Sequence, residues 1–481
     1  MTTKEKILLF ICFLALKLLL SIEYSKTSLC KNPAGARGTI TNFSGDSFSY
    51  TPAMDNYIEH GEYYFYNGSR KVYAGRMPHY AIPYYVFRQF LSKGTALDAL
   101  ILLQILSETI AYFLVSLLIF KLTDRKILIY LSLLFSLLSY FYTYLSIADV
   151  PDSFASSLLL IAFWFLYLFF EKELFPQKDW FLFSLFLCLA VTLRPYLVII
   201  YPLVVLVLFY KKDKNIIYTL KKSWVFPAIL SLFLLPWGIR NYKVMGKFVF
   251  LQEDMQAGYD YTKEEFMKWK VLSAIGEDGM VFWDPTTAAG YLSNRGTDYA
   301  NNSRWKVPDA IKNDSVLSFN LEQLRVLSKD SIDNAFQLDL FKQHSTTFLD
   351  SYKQTHKFDF YFLNYVKKVK LFLIHSGSYY FSYLPQSGCD TRIKFYLKIL
   401  QSLMYYLVLI LGSLGLGLLW KKNTHNSIFL LPSLCLILFF PIYLGAVQWR
   451  YFLPFFFFHQ IGLFYLINIL IENVKPIIFK N

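Results

Sequence analysis

Ser153-Phe-Ala-Ser-Ser-Leu-Leu-Leu-Ile-Ala-Phe-Trp-Phe-Leu-Tyr-Leu-Phe-Phe170 is an apolar stretch of 18 residues without a single charge. A helix of about 20 apolar residues spans the hydrocarbon core of a bilayer, so this stretch reads as a membrane segment. Comparable blocks lie at about 7–22, 96–120, 127–147, 180–193, 195–210, 224–239, 396–420, 427–446 and 451–472. The expected fold is therefore an all-α polytopic membrane protein with about ten transmembrane segments. Composition agrees: 55% of the residues are apolar, 19% aromatic and only 17% charged, against about 25% charged in soluble chains. With 21 Gly, 17 Pro and five Cys in 481 residues, collagen, disorder and a disulfide-dense secreted scaffold are excluded. The net charge of +14 does not call for nucleic acid, because much of the excess flanks apolar blocks, where Lys and Arg orient helices.

The block at 7–22 follows Lys4 and Lys6 and is not followed by a small-residue cleavage site, so it reads as a retained anchor and not as a signal peptide. The blocks at 180–193 and 195–210 are short for a core of about 30 Å, and Arg194-Pro195 separates them; a helical hairpin is expected there. Lys121, Arg125, Lys126, Lys211, Lys212, Lys214, Lys221, Lys222, Lys421 and Lys422 fall on one side. That side is expected to be cytoplasmic, with both termini on it, in the plasma (inner) membrane.

Three parts follow: an N-terminal transmembrane module at 1–250 with a first outer loop at about 23–95, an extracytoplasmic region at 251–395, and C-terminal transmembrane helices at 396–481. Interfacial helices are expected in the first outer loop, with an amphipathic segment from Tyr80 to Leu91, and a mostly helical second outer region. No inverted duplication of the kind common in transporters is visible.

The residues able to carry chemistry concentrate in the outer loops. Gly45-Asp46-Ser47-Phe48-Ser49-Tyr50 precedes Tyr57, and Arg76-Met77-Pro78-His79-Tyr80 comes thirty residues after Asp46. Ala148-Asp149-Val150-Pro151-Asp152 fills the next outer turn. Asp46 after Gly45 also suits a turn or helix cap, and Asp149 or Asp152 could cap the following helix. Arg240 and Arg450 stand at outer ends of apolar blocks, where a charge needs a partner or water, and Arg194 interrupts apolar surroundings, where an internal salt bridge competes with a ligand role. The seven His and five Cys show no zinc spacing. Cys30 and Cys389, the two cysteines in outer loops, can pair or remain free thiols.

Four separated motifs carry a resemblance to a known family. These are Gly45-Asp46 with Tyr50, Gly61 and Arg76-x-Pro78-x-Tyr80; the acidic pair Asp149 and Asp152; Pro236-Trp237-Gly238-Ile239-Arg240-Asn241-Tyr242 followed by Gly246; and Arg450-Tyr451 ahead of Pro454. Together they resemble the membrane glycosyltransferases of the GT-C superfamily, in the branch of the protein O-mannosyltransferases and the lipid A aminoarabinose transferase. The likeness covers roughly 1–250 and 427–472; His79 and Gln448 depart from the common pattern.

The resemblance implies sugar transfer from a polyprenyl-phosphate donor to a protein, lipid or glycan acceptor outside the cytoplasm. Asp46 is then the general base, with Asp149 or Asp152 as a second catalytic acid. Arg76, Arg240, Arg450 and Arg194 are candidates for the donor phosphate, and Tyr50, Tyr57, His79 and Tyr80 for sugar or acceptor. The sequence requires no cofactor and leaves a divalent metal open. A transporter or flippase of envelope lipids is the alternative class, with a non-catalytic assembly factor third.

Overall fold

The computed structural model describes residues 1–31, 38–43, 46–67, 70–172, 177–212, 214–252, 270–271, 274, 309–327, 335–375, 392–441 and 449–478. These residues divide into two compact units: one comprises 1–255, 380–434 and 453–481, the other 256–379 and 435–452.

In the first unit the elements run α1 Thr3–Lys31, α2 Thr51–His60, β1 Phe65–Asn67, β2 Arg70–Val72, α3 Ile82–Arg88, α4 Lys93–Thr123, α5 Lys126–Leu138, α6 Tyr140–Ser146, α7 Asp152–Glu171, α8 Gln177–Leu193, α9 Ile200–Lys211, α10 Ile216–Ser223 and α11 Val225–Met245. Short 3-10 turns at Ser47–Ser49, Pro78–Tyr80 and Pro195–Ile199 join them. Two long helices, α14 Arg392–Lys422 and α16 Leu453–Ile478, belong to the same unit, and the shorter α15 Ser427–Phe439 lies between them in sequence. Between α11 and α14 lie α12 Ser315–Leu327 and α13 Ala335–Thr355 of the second unit, which pack around Leu317, Leu321, Leu324, Phe341, Phe348 and Tyr352.

Among the described residues six helices are long and apolar enough to cross a membrane: α1, α4, α7, α10 with α11, α14 and α16. The chain is thus an all-α, multi-pass membrane protein, with one small β-hairpin among the described residues. α7 and α16 are the most enclosed, with 78% and 72% of their apolar windows buried, whereas α1 and α10–α11 are 17% and 22% buried. The first pair forms the bundle core and the second presents apolar faces outward. α5, Pro195–Lys211 and α15 are shorter apolar helices; the block at 127–147 is broken at Ser139, where the backbone turns extended (φ −81°, ψ 92°) between α5 and α6.

α14 and α16 come into backbone contact along their length, at Gly412, Gly415 and Gly462. A Cβ on Gly415 would stand 1.8 Å from the Gly462 carbonyl oxygen, and one on Gly412 2.1 Å from that of His459. Close backbone approach of this sort requires glycine.

Charges inside the bundle are paired. Lys17 of α1 lies 3.1 Å from Glu108 of α4 and donates to Thr143 Oγ1 at 2.5 Å, and the Tyr112 hydroxyl donates to Glu108. Nearby, Tyr142 donates to Gln460 Oε1 at 3.1 Å, and Gln460 donates to Ser136 Oγ at 3.1 Å and Ser132 Oγ at 3.2 Å. These bonds satisfy polar groups that the hydrocarbon cannot.

The first loop is fastened onto this bundle. Asp98 near the start of α4 accepts the backbone N–H groups of Thr39 (2.7 Å), Ile40 (3.1 Å) and Thr41 (3.1 Å). Asn42 forms a parallel bridge with Ala148, its N–H donating to Ile147 at 2.8 Å and its carbonyl accepting from Asp149 at 3.0 Å. The loop after α1 and the turn before α7 are therefore one structure.

Part of the first loop is not helical. β1 and β2 pair antiparallel, Phe65 with Val72, Tyr66 with Lys71 and Asn67 with Arg70; Phe65, Tyr66 and Val72 are residue types that suit strands. The segment from Tyr80 to Leu91 opens with a 3-10 turn and continues as α3, exposing Ile82, Val86 and Phe90.

Candidate functional site

Tyr50 is the centre of the site. It precedes α2, whose Pro52 occupies the first turn where the missing N–H costs nothing. Its ring is 3% exposed and is met edge-on by Tyr80 at 5.4 Å. The Arg76 guanidinium lies 4.7 Å from the ring centroid and that of Arg194 5.9 Å, within range of cation–π attraction. Burial raises the Tyr50 hydroxyl pKa, Arg194 and Arg76 oppose that shift, and Asp46 and Asp152 add to it. Tyr50 thus senses two cations and two carboxylates at once, which is how residues from 46, 76, 152 and 194 come to share one site.

The three candidate carboxylates differ in surroundings. Asp46 sits before the 3-10 turn Ser47–Ser49 and is half-buried; its side chain makes no capping hydrogen bond to that turn. Its carbonyl accepts the Ser49 hydroxyl at 2.8 Å, and Ser49 Oγ in turn accepts Arg76 Nε at 3.2 Å. Asp46 and Arg76 are thereby linked through Ser49, and both retain solvent exposure.

Asp149, fully buried, accepts the Thr51 hydroxyl at 2.5 Å. It also lies by the Tyr80 hydroxyl, whose pKa rises well above its ordinary value, first through burial and then through Asp149. Asp152, 3% exposed in the first turn of α7, is ion-paired with Arg194, itself 5% exposed. The helix-capping position is Pro151, so neither carboxylate caps α7 with its side chain.

Arg194 is presented where α8 ends. Its backbone is extended (φ −138°, ψ 93°), and Pro195 begins the next turn, since a residue before proline is disfavoured in the α region. The internal salt bridge weighed from sequence is thus present, and it faces the Tyr50 ring.

Arg240 is one layer away. Its guanidinium donates to the Tyr73 carbonyl at 2.7 Å, to the Tyr63 carbonyl, and to Asn241 Oδ1 at 2.8 Å, between the rings of Trp237 at 5.1 Å and Tyr63 at 5.8 Å. It joins α11 to both ends of the hairpin. Tyr63 lies between Arg240 and Arg76 and feels both.

His79 packs its ring against Phe233 at 5.6 Å, and burial lowers its pKa to about 4. The imidazole is neutral at physiological pH, fit to accept or donate one hydrogen bond but not to carry charge. Tyr57 is exposed and packs on Tyr85 at 6.0 Å; no described contact joins it to the cluster. Arg450 belongs to the second unit, in the turn Trp449–Tyr451 with its guanidinium 5.4 Å from the Tyr451 ring. Gly45, Gln448 and Cys389 lie outside the described residues, and with Cys389 the question of whether it pairs with Cys30 or both stay free thiols. Among the described residues no group of three or more His, Cys, Asp or Glu is arranged to hold a metal ion.

Sequence reasoning missed three anchoring acids. Asp98 gathers the loop after α1, and Glu108 pairs with Lys17. Asp55 accepts the Tyr84 hydroxyl at 2.6 Å and pairs with Lys93 at 2.7 Å. For Asp98 and Glu108 the signal was present: a carboxylate within an apolar block needs a partner.

Arranged in this way, the site offers a half-buried carboxylate and a half-buried guanidinium about one aromatic ring, backed by a buried, charge-compensated pair. Such a set can take a proton from a hydroxyl and hold an anionic group. Comparison of the chain with protein-family models, with curated proteins and with solved structures found no match in any of the three.

Proposed function

We propose that the protein is a membrane glycosyltransferase that moves a sugar from a polyprenyl-phosphate donor to an acceptor on the extracytoplasmic side. The observation that carries this reading is that Arg76, held by Ser49 and stacked on the Tyr50 ring, and Asp46 both act on Tyr50. In the reaction, Asp46 takes the proton of an acceptor hydroxyl as its oxygen attacks the anomeric carbon. The bond from that carbon to the phosphate oxygen breaks, and its electron pair leaves with the phosphate, whose charge Arg76 meets. No acid is needed for a leaving group that departs as an anion. Asp149 and Asp152 shape the sugar side, Tyr50 and Tyr80 supply ring surface, and His79 stands beside Arg76 in sequence as an acceptor contact. The ten-segment topology, cytoplasmic termini and inner-membrane location belong to the same proposal and rest on the distribution of Lys and Arg.

A second reading, a transporter or flippase of envelope lipids, is favoured by the Lys17–Glu108 pair inside the bundle, since intramembrane ion pairs often line transport pathways. Reconstitution with a radiolabelled polyprenyl-phosphate sugar and an envelope extract separates the two. Label moving into a new covalent product supports the transferase; label crossing between leaflets without a new bond supports the transporter and overturns the first reading.

A further inference from the structure

The basic stretch from Lys211 to Lys222 holds five lysines against one acid, Asp213, and nothing in the site above uses it. Its described core is α10, capped by Asn215, whose side chain accepts the Tyr218 N–H at 2.9 Å. One face of α10 is packed: Thr219 is buried, Trp180 Nε1 donates to the Lys222 carbonyl at 2.8 Å, and the Tyr201 hydroxyl donates to Ser223. The other face is apolar and open. Ile216, Ile217, Leu220 and Trp224 are 62%, 64%, 62% and 71% exposed, and at helical spacing they share one side.

Span length says what covers that face. From Trp224 the exposed apolar stripe continues along α11 through Leu232, Leu235 and Ile239 to Tyr242. The eighteen residue steps from Trp224 to Tyr242, at about 1.5 Å each, make about 27 Å, close to the thickness of a hydrocarbon core of about 30 Å. Trp224 and Tyr242 are then the two interfacial aromatics of one span. The Tyr242 end lies by the first loop, because neighbouring Arg240 holds the Tyr63 and Tyr73 carbonyls. α10 therefore lies beyond the hydrocarbon at the opposite membrane face, in the headgroup layer. There Ile216, Ile217 and Leu220 reach acyl chains while Lys214 and Lys221, both exposed, and Lys212 and Lys222, stacked near the Tyr218 ring at 5.4 and 5.8 Å, stand among headgroups.

We propose that α10 with its flanking lysines is a binding surface for anionic phospholipid headgroups at the membrane face opposite the first loop. A basic amphipathic helix in the interface gains from both apolar burial and attraction to anionic lipid. The proposal is independent of the transferase reading.

The test uses the full chain purified in mild detergent and mixed with equal amounts of phosphatidylglycerol and phosphatidylcholine, with retained lipids counted by native mass spectrometry. Wild type should retain phosphatidylglycerol in clear preference. Since each lysine near an anionic surface contributes about fivefold to binding, Lys214→Gln/Lys221→Gln/Lys222→Gln should lower that preference by about tenfold or more. The comparison variant Lys121→Gln/Lys421→Gln should keep it, which separates a local surface from bulk charge. A melting curve in detergent alone establishes that the triple variant is folded; should it not fold, the single exposed change Lys221→Gln is read instead, with about a fivefold drop expected. Equal retention of the two lipids by wild type, or an undiminished preference in the folded variants, would overturn the proposal.

Discussion

Two ionic clusters in the first unit invite comparison. At Lys17–Glu108 both side chains are sealed, 0% and 2% exposed, and their remaining polar atoms meet Thr143 and Tyr112. At Tyr50 the charges are split: Asp152–Arg194 is buried likewise, while Asp46 and Arg76 are only half-buried. A sealed pair holds helices in place, because its attraction offsets desolvation only in fixed geometry. Partly exposed charges held on the same scaffold can meet a ligand. The comparison predicts that sealed charges matter to stability and partly exposed charges to turnover.

The largest effect is expected at the sealed pair in the bundle. Lys17→Met or Glu108→Gln alone leaves an uncompensated neighbour and should cost about 3–5 kcal/mol, read as a lowered unfolding midpoint in detergent. The double variant Lys17→Met/Glu108→Gln should recover at least half of that loss. A transport role would instead show as lost lipid movement in both single variants with stability unchanged.

Arg194 tests whether the sealed half of the outer cluster behaves alike. Arg194→Ala strands Asp152 in a buried position and should destabilise by about 3 kcal/mol, with Arg194→Lys regaining part of it. Were Arg194→Ala as stable as wild type but inactive, Arg194 would belong with Asp46 and Arg76.

Arg76 is expected to affect turnover only. Losing one phosphate contact should lower kcat/KM ten- to a hundredfold, about 1.5–3 kcal/mol. Arg76→Lys should rescue in part, since it keeps charge but loses the paired donors. An Arg76→Ala protein with a lowered unfolding midpoint would blur the distinction between the clusters.

The effect that is smallest at neutral pH concerns His79. Its folded-state pKa is depressed from 6.5 to about 4, so between those values the unfolded chain binds a proton that the native chain does not. Stability should fall as pH drops through that window and be insensitive to His79 above it. His79→Gln should flatten this segment of the curve, measured as unfolding midpoint against pH.

How much of this was legible in the sequence depends on what each residue partners. α7 announces itself because 18 residues carry no charge, and five further spans stand out likewise. The segment at 127–147 looked continuous but breaks at Ser139, a bend that apolar content does not encode. The hairpin of Phe65–Asn67 and Arg70–Val72 is too short for a period-2 pattern to show. Within the site, Asp46 and Arg76 could be singled out because they share one loop. Their link through Ser49 and the Tyr50 ring needed coordinates. The attachment of Arg240 was invisible for a different reason: its partners are the backbone carbonyls of Tyr63 and Tyr73, and no side-chain pattern records a carbonyl. Lys17 and Glu108 were each visible as a charge in an apolar block, but their pairing depends on how α1 packs against α4.

The most direct measurement is made on Asp46→Asn, which keeps the shape of the side chain and removes the proton acceptor. Wild-type and variant proteins are reconstituted with radiolabelled polyprenyl-phosphate sugar and envelope extract, and covalent transfer is followed alongside the unfolding midpoint of each preparation. The account predicts an unchanged midpoint and transfer lowered by about 10²–10⁴-fold, the usual contribution of a general base. Near-normal transfer by the variant, or a loss matched by an equal loss of folded protein, would contradict it.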